Sequence, residues 1–276
     1  MNHEVSLIKS HSYLKIFVQQ FKVDNPIASV LLVHGLGEHA DRYLTFIKEL
    51  NDVNIAVFTM DLRGFGRSEG LKGDFSSYKA VLNDIRLLEN LAIAYAPEIP
   101  IFLYGHSMGG NLVINYGLRG RTKVKAIIAS APYLALTNPK ASWLMKTANI
   151  LNKLCPTLRV SNGINENKLT QLPEVVRDYL ADPLVYTKIS VRTFLALEAA
   201  AGYAMKNASL LQIPTFIYHG TDDMITSPLA SEAFALKNPE FVTYIKIEGG
   251  YHELQHDLNA ADFRTRVIDL IQSNLR

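Results

Sequence analysis

Short, continuous apolar runs, each followed by a longer amphipathic stretch, restrict this chain more than any other feature. The runs are SVLLVH (29–34), IAVFTM (55–60), IFLYG (101–105), VKAIIAS (124–130), PTFIYHG (214–220) and VTYIKIEG (242–249). β-Branched and aromatic residues without polar alternation belong to strands covered on both faces. Helical patterns fall near 41–51, 76–96, 108–119, 228–237 and 259–274, and in the last of these Phe263, Val267, Leu270 and Ile271 share one face. Strand and helix in alternation predict an α/β fold with an open, mostly parallel sheet and helices on both sides. Residues 13–21 read as an additional N-terminal strand at the antiparallel edge.

The alternation breaks over 135–207. This stretch carries Trp143, Leu144, Ile150, Leu151 and Leu154, then polar turns, then a second helical pattern at 189–205. Without a strong strand of its own, it predicts a helical cap inserted into a single domain spanning 1–276. A chain of 276 residues with 48% hydrophobic and 20% charged residues suits one large soluble domain. A net charge of +2 with no block of like charge argues against nucleic acid as the main partner. The one cysteine, Cys155, forms no internal disulfide and implies no oxidising compartment. The N-terminus lacks a basic start and an apolar stretch, and no run of eighteen apolar residues occurs. The expectation is a cytoplasmic protein, with attachment to a membrane surface left open.

The third run leads straight into Gly105-His106-Ser107-Met108-Gly109, and a helical pattern follows. A sharp strand-to-helix turn strains the serine backbone and leaves its hydroxyl exposed. Side chains two positions away would collide with neighbouring backbone, which is why glycine stands at both places. The helix N-terminus behind the turn favours developing negative charge. The spacing alone is a weak signal, but its place at a strand-to-helix junction makes Ser107 the candidate nucleophile.

A serine hydroxyl needs a base to take its proton. Of eight histidines, His252 follows the last strand through GGY, on a loop at the carboxyl edge of the sheet where sites of open α/β sheets collect. The base needs an acid to fix its tautomer. HGTDDMI (219–225) offers Asp222 and Asp223 at the same edge. Asp223 is preferred because the acid usually stands three positions after the glycine that ends the strand. The alternative is that one of the pair caps the helix near 228. Two backbone donors for an oxyanion are expected from Met108 and from Leu36 in HGLG (34–37).

HGLGEHADRY (34–43), DLRGFGRSEG (61–70), GHSMGG, GTDD and GGYHEL together resemble the monoglyceride lipase and lysophospholipase family of α/β-hydrolases. The chain order Ser, Asp, His is that of the fold. ADPLVYTKIS (181–190) is similar to that family's cap. The resemblance implies Ser107, Asp223 and His252 as a triad, Leu36 and Met108 as oxyanion donors, and an apolar cap rim that meets membranes and admits one acyl chain. It also implies that Glu38, Arg42 and Tyr179 shape the polar end of the site. A plain ion pair holding the loop accounts equally well for Glu38 and Arg42. Where animal members carry a second histidine three positions after the base, this chain has Gln255, which still donates and accepts hydrogen bonds.

Two other motifs compete. HELQH (252–256) matches the zinc-protease pattern H-E-x-x-H, but EGGY before it makes a poor helix, and His256 is expected at the surface. GFGRSEG (64–70) reads as a turn beside the site mouth rather than a phosphate loop. The resulting expectation is a serine ester hydrolase acting on single-chain acyl lipids through an acyl-enzyme, with no cofactor or metal. A general carboxylesterase and a non-catalytic binding module on the same fold are the alternatives.

Overall fold

The computed structural model describes residues 2–275. The first and last residues of the single domain expected over 1–276 therefore lie outside the described residues. The chain begins with β1 (Asn2–Lys9), β2 (Lys15–Lys22) and β3 (Ala28–Val33). α1 (Leu44–Asp52), β4 (Ile55–Met60), α2 (Tyr78–Tyr95), β5 (Ile101–His106), α3 (Met108–Arg119) and β6 (Val124–Ser130) follow. Residues 135–207 contribute α4 (Ser142–Leu154), β7 (Arg159–Ser161), α5 (Pro173–Ala181), β8 (Lys188–Ser190) and α6 (Val191–Asn207). The chain closes with β9 (Thr215–Gly220), α7 (Pro228–Leu236), β10 (Val242–Ile247) and α8 (Ala260–Ser273).

Eight strands form one sheet in the order β1-β2-β4-β3-β5-β6-β9-β10. From β4 to β10 all neighbours are parallel, while β1, β2 and β4 pair antiparallel. The central runs bury every side chain because helices cover both faces. Leu31, Val33, Phe58 and Leu103 pack with Val81, Ile85 and Leu112 on one side. Val30, Leu32, Phe102 and Ile128 pack with Phe46, Phe263 and Val267 on the other. Successive strand residues point to opposite faces, so both cores are read from alternate positions of the same runs. Ser77, Ser190 and Ser227 cap α2, α6 and α7 through their side chains, each contributing about 1 kcal/mol.

Two expectations are corrected. The N-terminal strand at 13–21 appears as β2, but it is interior: β1 forms the edge. β1 leaves both faces largely open, with Val5 and Leu7 exposed, so it carries no burial signature. The stretch 135–207 also contains a two-stranded antiparallel ribbon, β7 with β8. Its strands are three residues each, too short to give a periodic pattern. α6 packs on α3 and places Leu197 and Ala204 in the main core.

β3 has β4 on one side and β5 on the other. The chain leaves β3 towards β4 and leaves β5 towards β6, so the connections of these two neighbours run in opposite directions and a crevice is expected at their carboxyl ends. The loop after β3 and the Ser107 corner after β5 meet there. A Cβ on Gly109 would stand 2.2 Å from the Val33 carbonyl oxygen, and one on Gly105 2.4 Å from that of Gly109.

Gly109→Ala should lower stability by about 2–3 kcal/mol or more, seen as a shifted urea midpoint. Gly202→Ala on α6, where a Cβ meets nothing within 4 Å, should instead raise it by up to about 1 kcal/mol. Equal effects at the two positions would show that close approach is not what selects glycine at 109.

Candidate active site

Ser107 joins β5 to α3 with φ 54 and ψ −115, a conformation that side chains rarely adopt. Its N–H donates to Ser130 O at 2.9 Å, and its carbonyl accepts from Asn111 and Tyr133 N–H. Those three bonds hold the corner. Ser107 Oγ lies 2.9 Å from His252 Nε2, and His252 Nδ1 lies 2.7 Å from Asp223 Oδ2. Asp222 is exposed, and the nearby helix is capped by Ser227 rather than by either aspartate. Asp223 Oδ1 accepts from Ile225 and Thr226 N–H at 2.7 and 3.0 Å.

The charges reinforce one another. Burial pushes the Asp223 carboxyl upward, but His252 and the hydrogen bond from His219 outweigh it and hold the acid ionised. Burial disfavours a charged His252, while Asp223, Glu253 and Glu38 raise it above the ordinary imidazole value. Met108 opens α3, so its N–H has no helical carbonyl to pair with. Leu36, Met108 and Ser107 line one cavity of about 190 Å³. Leu136, Ile164, Ile189, Phe194 and Met224 make most of its wall apolar, and Asn138, Lys140, Asn162 and Lys168 add polar groups.

Glu38, Arg42, Tyr179 and Gln255 do not line this cavity. Arg42 makes a two-pronged pair with Glu253 at 2.7 Å and a single bond to Glu38 Oε2 at 2.7 Å. The Tyr179 ring lies under its guanidinium, 4.7 Å from centroid to carbon. Glu38 Oε1 accepts from Gly35 N–H and Tyr43 O–H. The ion pair expected as the alternative for Glu38 and Arg42 is present. The Gln255 amide is buried and makes no hydrogen bond among the described residues. Burial raises Glu38, but Arg42, His106, His34 and Tyr43 bring it down to about 2.

His256 is half-buried rather than at the surface, tilted against Tyr43 with centroids 6.0 Å apart. Residues 254–256 form only a short 3₁₀ turn, so His252 and His256 share no helix. Among the described residues no group of three His, Cys, Asp or Glu is placed to hold a metal. The 64–70 turn lies under the 34–43 loop rather than at the cavity: Asp61 accepts from Ala40 N–H and Arg67 N–H. Glu253, His219 and His106 went unread as site residues. Glu253 lies 211 positions from its partner Arg42, and no local pattern links the two.

A parallel sheet crossed by helices, with a serine corner facing histidine and aspartate at its carboxyl edge, defines an α/β-hydrolase. Residues 24–259 match the family model described as serine aminopeptidase, S33. The monoacylglycerol lipase of Mycolicibacterium smegmatis is 30% identical over 232 residues, 83% of this chain and 82% of that protein. An abhydrolase domain-containing protein of Dictyostelium discoideum is 31% identical over 91% of this chain. The crystal structure of Paleococcus ferrophilus monoacylglycerol lipase superposes with a TM-score of 0.86 at 30% identity, covering 94% of this chain and 99% of that one. The chain spans 27% of the Dictyostelium protein and 63% of a Schizosaccharomyces pombe relative. It belongs to the monoglyceride lipase family of α/β-hydrolases, and so to the serine hydrolases.

Arg42→Ala leaves two buried carboxylates without their cation and should cost about 3–5 kcal/mol at pH 7, read by urea unfolding. In the parent, Glu38 titrates lower folded than unfolded. Its contribution is therefore complete above the ordinary carboxyl range and is lost as pH falls towards about 2. The gap between parent and variant should narrow in acid as both carboxylates protonate. A loss under about 1 kcal/mol at neutral pH would match only a solvated pair.

Proposed function

We propose that this chain hydrolyses carboxylic esters of single-chain acyl lipids, monoacylglycerol first and lysophospholipid second, through an acyl-enzyme. The observation that carries this reading is the unbroken hydrogen-bond series from Asp223 through His252 to Ser107, opening onto a mostly apolar cavity. The monoacylglycerol lipases among its relatives support the substrate class.

In this mechanism Ser107 Oγ attacks the ester carbonyl carbon while His252 Nε2 takes its proton. The oxyanion forms between the N–H groups of Leu36 and Met108. Collapse breaks the bond to the alcohol, which leaves with the proton from His252. Water then attacks the acyl-enzyme, His252 accepts its proton, and the fatty acid departs as Ser107 is restored. Asp223 keeps the His252 proton on Nδ1 and stabilises the imidazolium without taking the proton itself.

Residues 135–207 act as the cap, with α6 anchoring them to α3. α4 buries only Ala148 and exposes Trp143, Ile150 and Leu154. From Ala135 to Asn165 the segment carries Lys140, Lys146, Lys153 and Arg159 and no acidic residue. An exposed apolar face among unopposed cations suits contact with an anionic lipid surface. No helix among the described residues is long and apolar enough to cross a membrane.

Ser107→Ala should abolish both hydrolysis and labelling by a fluorophosphonate. A panel of monoacylglycerols, lysophosphatidylcholine, triacylglycerol and short p-nitrophenyl esters should show single-chain lipids preferred. Preference for triacylglycerol contradicts the reading, and turnover of short esters alone makes the protein a general carboxylesterase. The base must be neutral to accept a proton, so kcat/KM should rise with pH through a pKa above about 6.5. Separately, replacing Trp143, Ile150 and Leu154 by serine should slow turnover on anionic vesicles and leave soluble esters unaffected. Equal loss on both substrates would remove the membrane role from α4.

A further inference from the structure

We infer that His219 is a positioning residue that shares the carboxylate of Asp223 with His252 and thereby sets the basicity of the base. The inference rests on the proposed roles of Ser107, His252 and Asp223. His219 is the last residue but one of β9, is fully buried, and does not line the cavity. Its Nε2 lies 3.0 Å from Asp223 Oδ2, the same oxygen that accepts from His252 Nδ1 at 2.7 Å.

The tautomer follows from the partners. Around Nε2 stand an ionised carboxylate oxygen, the Thr226 carbonyl at 3.2 Å and the Thr226 hydroxyl at 3.3 Å. The first two are acceptors only, and the hydroxyl has nearer acceptors in Asp223 Oδ2 and the Ala131 carbonyl for its one proton, so Nε2 carries a proton. Nδ1 lies 2.8 Å from Ser231 Oγ on α7, whose hydroxyl donates to it in the neutral ring. Ser231 is itself fully buried, so this arrangement has no solvent competitor. His219 is thus held as a fixed donor aimed at Asp223.

Two effects result. Asp223 Oδ1 is pinned by two backbone N–H groups, and Oδ2 is pinned by His219, with the Thr226 hydroxyl at 2.9 Å sharing its proton between Oδ2 and the Ala131 carbonyl at 3.0 Å. The carboxylate then cannot rotate away from His252. Each further donor on Oδ2 also withdraws charge from its bond to His252, so His219 lowers the proton affinity that Asp223 confers on the base. A histidine base raised too far would stay protonated at neutral pH and could not accept from Ser107.

The charged and titratable groups facing His252 are Asp223 from the β9–α7 loop, His106 from the end of β5 (ring centroids 4.9 Å apart), Glu38 from the loop after β3, and its neighbour Glu253. Substitution at 219 removes none of them and reaches His252 through Asp223 alone.

The test compares the full-length parent with His219→Leu, His219→Gln and Ser231→Ala. The readouts are the acid limb of kcat/KM and the low-field proton resonance of His252 Nδ1–H. His219→Leu should move the acid limb up by roughly half a pH unit or more. It should also shift the resonance downfield and lower kcat at neutral pH with KM unchanged. Glutamine places an amide donor near the position of Nε2 and should return both readouts towards the parent. Ser231→Ala keeps the Nε2 proton on Asp223 but removes the hydroxyl that holds Nδ1, so the ring is aimed less firmly and the variant should give a smaller shift in the same direction. It serves as the test if His219→Leu does not fold. An unmoved acid limb and resonance in the leucine and alanine variants, or equal shifts in the leucine and glutamine variants, would overturn the inference. If Ser107→Ala retained full activity, the underlying reading would fail instead.

Discussion

The backbone at Ser107 can hold its strained turn only because nothing larger than hydrogen stands at 105 and 109. Such a conformation costs on the order of 1–3 kcal/mol and persists only when its surroundings determine it. Here they do: Ser130, Asn111 and Tyr133 bind its backbone, and α3 lies against the carbonyl of Val33. The same closeness brings the first N–H of α3 beside the loop that leaves β3. Nucleophile, helix terminus and loop therefore come from one packing constraint.

The second half of the site is tied to the first by buried charge. Arg42 stands in the loop after β3 and clasps Glu253, the residue after the base. Glu38 in that loop also accepts from the N–H of Gly35. The cap joins the same scaffold: His39 pairs with Asp182 at 2.8 Å, Gly37 O accepts from Tyr186 N–H, and Leu169 O accepts from Glu253 N–H. Two carboxylates flanking one arginine are costly to desolvate, and they are placed where they fix the relative positions of three loops. Stability and geometry at the site are coupled through this cluster.

How far the sequence could be read follows from the range of each signal. The six parallel strands were legible because burial on both faces writes continuous apolar runs. The Ser107 corner was legible because steric exclusion writes glycine at fixed spacing. β1 was not, since a strand open on both faces is free in composition. Glu38 and Arg42 stand close enough in the chain to read as a pair, but Glu253 enters the sequence only through the H-E-x-x-H pattern, and its partner stands 211 positions away. His219 stands near the end of the apolar run PTFIYHG. Nothing local distinguishes a histidine aimed at a carboxylate from one that simply fills a core. Tyr179 and Gln255 show the same limit, because residue type gives hydrogen-bonding capacity but not direction.

The central claim is that residue 107 becomes covalently acylated during turnover. Rapid acid quenching during hydrolysis of a slowly deacylating ester, followed by peptide mass spectrometry, measures this directly. One acyl mass is expected on the peptide containing Ser107, formed at the rate of alcohol release and absent from His252→Ala. Steady hydrolysis with no adduct at any time point, or an adduct on a different residue, would contradict it.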